Sequence, residues 1–200
     1  MHIALLTDGI YPYTMGGMQK HSYYLAKHLA KQQVCVDVYH AVPHNKSVQT
    51  HQNGYTKEEL KYIRLIPVVF PRNHYFPGHY LWESYKYSKR VYKKYICNSP
   101  ADFIYVQGFS AWELFKHSGT KAQRNRKNIA IGTNFHGLEM FQKAPNFKIK
   151  LQHLLLRPAT KFNIKRADVL FSLGGKLTEI HKKIAPKTAI SEIPIGITPD

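Results

Sequence analysis

Short apolar, β-branched runs recur along the chain and are separated by longer stretches with a helical rhythm. The runs are His2–Thr7, Val34–His40, Tyr62–Val69, Phe103–Val106, Ile129–Asn134, Val169–Leu173 and Ile190–Ile195. Each has the length and composition of a buried strand. Between Met18 and Lys31, apolar residues fall at Met18, Leu25, Ala26, Leu29 and Ala30, the spacing of one helix face. Leu81–Ile96 is expected to be a helix with Trp82, Tyr85, Tyr92, Tyr95 and Ile96 mostly on one side. Phe147–Arg166 reads as a helix that Pro158 kinks or splits, and Thr178–Ile184 as a shorter one. Strands alternating with helices predict an α/β, Rossmann-like, doubly wound and mainly parallel sheet of about seven strands, with helices on both faces. Pro43–Lys57 reads as a polar surface excursion and Lys121–Asn128 as a basic loop.

In such a sheet, ligands bind at the carboxyl ends of the strands. The segment Thr7–Gly17 leaves the first strand there, and Gly16 and Gly17 then open a helix. Glycine lets a bound group approach the backbone closely. The free N–H groups of a helix start favour an anion. The pair therefore reads as a phosphate seat, or as a tight strand-to-helix turn with no ligand. A Walker loop is excluded because Met18-Gln19-Lys20 follows Gly17. A dinucleotide fingerprint is excluded because the loop is too long.

Composition changes the picture at one point. Lys and Arg number 29 against 12 Asp and Glu, a formal net charge of +17. That field attracts polyanions: nucleic acid, acidic lipid or phosphorylated substrates. The 200 residues, 44% of them hydrophobic, suit one compact domain. Two cysteines, Cys35 and Cys97, form neither a disulfide framework nor a zinc signature, which fits a reducing compartment. The N-terminus reaches Asp8 too soon for a signal peptide, and no apolar stretch is long enough to span a bilayer.

Met15-Gly16-Gly17-Met18-Gln19-Lys20-His21, followed by Tyr24-Leu25-Ala26-Lys27-His28-Leu29-Ala30-Lys31, resembles the start of the glycogen-synthase-like, retaining glycosyltransferases of the GT-B fold. Four further stretches agree in order: Tyr105-Val106-Gln107-Gly108, Thr133-Asn134-Phe135-His136-Gly137, Lys165-Arg166-Ala167-Asp168-Val169-Leu170-Phe171-Ser172, and Ile193-Pro194-Ile195-Gly196-Ile197-Thr198-Pro199-Asp200. The resemblance covers the whole chain. It implies that residues 1–195 are an acceptor-binding N-terminal domain and that residues 196–200 begin a linker to a C-terminal donor-binding domain. No glutamates here have the Glu-x7-Glu spacing of that second domain. Gln107 stands where many relatives carry His.

The resemblance also implies roles. Gly16 and Gly17 would bind the diphosphate of a nucleotide-diphosphate sugar, and His136 would be the catalytic-site histidine, bonding the donor sugar or supporting developing charge. Tyr11, Tyr13, Met18, Gly108, Phe109, Asn134, Phe135 and Gly137 are candidates for the acceptor side, where a glycan or lipid-linked saccharide would lie. Lys86, Lys89, Arg90, Lys93 and Lys94 form either a solvated face or a patch for an anionic membrane surface. No cofactor is expected and no Asp-x-Asp metal motif occurs. The expected setting is bacterial cell-surface polysaccharide or lipopolysaccharide synthesis, cytoplasmic and peripheral on the inner membrane face. The alternatives are a basic nucleic-acid-binding domain, for which no recognition motif appears, and a non-catalytic Rossmann-like domain.

Overall fold

The computed structural model describes residues 1–43, 54–71, 78–98, 100–117 and 129–193. Residues 44–53 of the expected polar excursion, the basic loop Lys121–Asn128 and residues 194–200, which include the expected linker, lie outside the described residues.

Seven strands form one parallel sheet: β1 (His2–Leu6), β2 (Cys35–Val42), β3 (Ile63–Val69), β4 (Phe103–Gln107), β5 (Ala130–Asn134), β6 (Val169–Ser172) and β7 (Ala189–Glu192). Their spatial order is β3-β2-β1-β4-β5-β6-β7. The order reverses beside β1, so the crevice between the loops after β1 and β4 is where a ligand is expected to enter. Parallel register puts Leu5 beside Val38 on one flank and Tyr105 on the other, and Tyr105 beside Gly132.

The alternation along β1 builds two cores. Ile3 and Leu5 join Tyr23, Ala26 and Ala30 of helix α1 (Gly17–Lys31) on one face. Ala4 and Leu6 join the other core. That side is covered by α2 (His79–Ile96), α3 (Trp112–His117), α4 (Phe147–Arg166) and α5 (Lys176–Ile184), through residues such as Val91, Phe115, Ile164 and Ile180. Helices on both faces explain why the inner strands read as nearly continuous apolar runs.

Three expectations need correction. The helix α3 escaped sequence reading because six residues hold too few turns to show a period. Of the two outcomes expected at Pro158, a kink or a split, the split does not occur: the helix runs unbroken through it. Pro158 has no N–H to donate to the carbonyl of Leu154, one turn before it. Finally, α2 does not bury the side marked by Trp82 and Ile96, which are 37% and 57% exposed. It buries Glu83, Ser84, Tyr87, Ser88, Val91 and Tyr95. Among the described residues no helix is long and apolar enough to cross a membrane.

Candidate functional site

The segment between β1 and α1 is held by its own polar groups. The Thr7 hydroxyl donates to the carbonyl of Gly9 (2.8 Å), and Thr14 N–H to the carbonyl of Ile10 (2.9 Å). From α2, the Tyr87 hydroxyl donates to the carbonyl of Thr7 (2.6 Å) and fixes the end of β1. Gln107, at the end of β4, is fully buried and accepts from Ser22 of α1 (2.8 Å). It also accepts from the Thr7 hydroxyl (3.3 Å), so its carboxamide oxygen ties β4 to α1 and to the residue after β1, a structural task, and it offers no histidine to the cleft.

Gly16 and Gly17 are not equivalent. A Cβ on Gly16 would collide with the side chain of Gln19, whose amide donates to Asp8 (3.0 Å). A Cβ on Gly17 would meet nothing within 4 Å, and the residue is exposed with no positive φ. Neither packing nor backbone conformation requires glycine at 17. What glycine does there is leave the first turn of α1 uncovered. Gly108, after β4, has φ +57 and so needs glycine for its conformation.

A cleft of about 250 Å³ opens at this end of the sheet. Met18, Gly108, Phe109, Phe135, His136 and Gly137, all singled out in the sequence, share its wall. Phe109 and Phe135 are largely buried, packed edge to face at 5.5 Å, so they form its floor. The other sequence candidates lie outside its lining. Tyr11 packs on Tyr23, Tyr13 stacks on His40, and the Asn134 amide donates to the Tyr105 hydroxyl (2.9 Å).

Sequence reading missed several lining residues, among them Asp8, Tyr80, Ser84 and Glu139. It also missed His21. The ring of His21 stands 4.8 Å from that of His136, edge to face. Its signal was present: four residues after Gly17, it must lie one turn along α1 on the same side as the helix start. Because Asn134 donates to Tyr105, the tyrosine proton is left to bond the His21 Nε2, 3.2 Å away. Hence His21 is held by a hydrogen-bond chain that runs back into β5.

Burial lowers the proton affinity of both rings. His136 is pushed down to about 4 by burial and by repulsion from His21, and His21 is lowered by burial. At neutral pH both are uncharged, so either works as a hydrogen-bonding group. Among the described residues the buried Nε2 of His136 has no hydrogen-bond partner. A buried polar atom without a partner costs about 1–3 kcal/mol. Asp8 is raised by burial, partly offset by the bond from Gln19. Tyr105 is pushed up to about 12, also by burial.

The basic side of α2 is largely engaged locally. Lys86 lies 3.3 Å from the centre of the Trp82 ring and Lys89 lies 4.7 Å from that of Tyr85. Arg90 donates to the carbonyl of Val69 (2.8 Å), which ties it to β3 and withdraws it from the outer patch. Lys93 and Lys94 remain exposed.

The family model for Glycosyltransferase Family 4 matches residues 15–200. Among solved structures, the N-terminal domain of Candida albicans trehalose-6-phosphate phosphatase aligns with a TM-score of 0.59 at 11% identity, over 98% of this chain and 48% of that one. A trehalose-6-phosphate protein from E. coli bound with UDP-2-fluoro glucose gives 0.57 at 11% identity, over 99% and 49%. A UGT transferase from Siraitia grosvenorii in complex with UDP gives 0.54 at 10%, over 98% and 50%. At these identities the likeness is one of fold. The chain spans about half the length of these structures. A comparison with curated proteins found no match.

Proposed function

This chain belongs to Glycosyltransferase Family 4 and has the fold of a GT-B N-terminal domain, and on that premise we propose that it is the acceptor-side half of a sugar-transferring enzyme. The donor is a nucleotide-diphosphate sugar, and the acceptor is a glycan or lipid-linked saccharide. The sugar keeps its anomeric configuration, and a C-terminal domain of the same enzyme binds most of the donor. The setting is bacterial cell-surface polysaccharide or lipopolysaccharide synthesis, at the inner face of the cytoplasmic membrane.

The observation that carries this reading is the place of His136 in the wall of the cleft at the carboxyl ends of the strands. Its neighbour His21 stands one turn from the open helix start at Gly17. Departure of a nucleoside diphosphate leaves a sugar with oxocarbenium character, and negative charge grows on the leaving phosphate. The first turn of α1, left uncovered at Gly17, is suited to that charge, because preorganised donors need no rearrangement as it develops. A neutral His136 is suited to hydrogen-bond a sugar hydroxyl or ring substituent beside it. Met18, Phe109 and Phe135 offer the apolar surface on which a sugar ring stacks.

The test uses the complete enzyme with radiolabelled nucleotide-diphosphate sugars and membrane or glycan acceptors. Transfer of label is expected, with His136→Ala losing most of the turnover and keeping the fold. Wild-type turnover in that variant removes His136 from the site. Retention of polyribonucleotides by the chain at moderate salt, with no sugar transfer, would favour the nucleic-acid alternative.

A further inference from the structure

Helix α4 is inverted with respect to polarity. Its inward side carries His153, Thr160 and Asn163, the last two fully buried, together with Ala159 and Ile164. Its outward side carries Phe147 at 80% exposure, Leu151 at 51%, Leu154 at 49% and Leu155 at 45%. At 3.6 residues per turn these four and Pro158 fall on one stripe, about 17 Å long. A helix covering a sheet ordinarily turns such a stripe inward.

Charge surrounds the stripe in a single sign. The helix holds Lys148, Lys150, Arg157, Lys161, Lys165 and Arg166 and no acidic residue. Lys148 and Lys150 flank the leucines on opposite sides, and Lys161 and Lys165 continue the same line beyond Pro158. All four lysines are exposed. Leu156, on the inward side of the same helix, lines the cleft with Met140, whose carbonyl accepts from Arg157 (2.7 Å).

We propose that the outward face of α4 docks on an anionic lipid bilayer. Phe147, Leu151, Leu154 and Leu155 enter the boundary between headgroups and acyl chains, and the lysines meet lipid phosphates. The bilayer is the occupant that both features fit. The apolar stripe is one convex helix face, and its rim is cationic throughout. A second copy of the chain would bring the same excess of positive charge, +17, against it. The cleft touches the inward side of this helix through Leu156, so docking here would hold the cleft one helix away from the membrane, within reach of the saccharide head of a lipid-linked acceptor. That last step, and only that step, rests on the acceptor-site reading above.

The experiment is sedimentation of the chain with phosphatidylcholine vesicles, with and without phosphatidylglycerol, at physiological ionic strength. Binding is expected to require phosphatidylglycerol. The variant L151S/L154S should bind at least about tenfold more weakly, because two exposed leucines are lost from the lipid contact, and K148E/K150E should also bind more weakly. Both should keep the wild-type thermal midpoint, since these side chains pack on little. In F147W, fluorescence additional to that of Trp82 and Trp112 should be quenched by brominated lipid. Unaltered binding by L151S/L154S overturns the proposal. So does loss of binding on charge reversal at Lys86, Lys89, Lys93 and Lys94 with the α4 variants unaffected. A lack of vesicle binding, with a dimer that L151S/L154S dissolves, also overturns it. Failure of docking leaves sugar transfer to a detergent-dispersed acceptor intact. Failure of the transferase reading leaves vesicle binding intact.

Discussion

Replacing Gly17 with valine separates a phosphate seat from an ordinary turn. The structure gives the folding side of the expectation. A Cβ at this exposed position meets nothing within 4 Å, and the backbone there is not left-handed. Stability should therefore change by no more than about 1 kcal/mol, the range of helix propensities. On the functional side, a branched side chain would stand where a diphosphate approaches the N–H groups of the first turn. Loss of two charge-assisted hydrogen bonds, at roughly 1.5–3 kcal/mol each, removes about 3–6 kcal/mol. If those bonds are strongest as the phosphate departs, turnover falls roughly 10²- to 10⁴-fold. The assay pairs turnover of the complete enzyme with thermal unfolding of the chain. Gly16→Val is the less clean variant, because its side chain must displace Gln19 from Asp8. Turnover within about twofold of wild type in Gly17→Val, with an unaltered midpoint, would refute the seat.

Three further outcomes are expected. Stability should fall as pH drops from about 6.5 towards 4, because His40 and His136 are both pushed down to about 4, so the unfolded chain binds protons that the folded one excludes; urea titrations at stepped pH check this, and His40→Gln should flatten the slope. Gly132→Ala should destabilise by roughly 1–3 kcal/mol, since the added carbon runs into the rings of Phe171 and Phe103; an unaltered midpoint would mean that those rings give way freely. Calorimetry of nucleotide-diphosphate sugars with the 200-residue chain should show millimolar affinity at best, because a few hydrogen bonds at the α1 start must offset the cost of immobilising the ligand; micromolar affinity would place the donor site within this half.

The strands were legible because parallel strands buried on both faces must be apolar throughout, and β-branched runs mark them with or without periodicity. The orientation of helices was harder to read. In α2 the apolar Trp82 and Ile96 face out, while Glu83, Ser84 and Ser88 face in and are buried. Ser88 accepts the backbone N–H of Glu113 (3.2 Å), so a tertiary hydrogen bond outweighs the side chain's own preference. Inversion in α4 has the same origin on its inner side: Thr160 and Asn163 return hydrogen bonds to their own helix backbone, which lets polar side chains be buried there. The cleft was legible where one local stretch carries part of its wall, as at Phe135–Gly137. The partnership of His21 with His136 depends on how α1 lies against β5, which no local pattern encodes.

Product stereochemistry tests the central claim most directly. The complete enzyme is supplied with a nucleotide-diphosphate sugar and its acceptor, and the product's anomeric proton is followed by NMR from the first minutes of reaction. The account predicts that the donor's anomeric configuration is kept, with one nucleoside diphosphate released for each sugar transferred, and that Gly17→Val slows both signals equally. An inverted anomer, or no transfer from any nucleotide-diphosphate sugar, would contradict it.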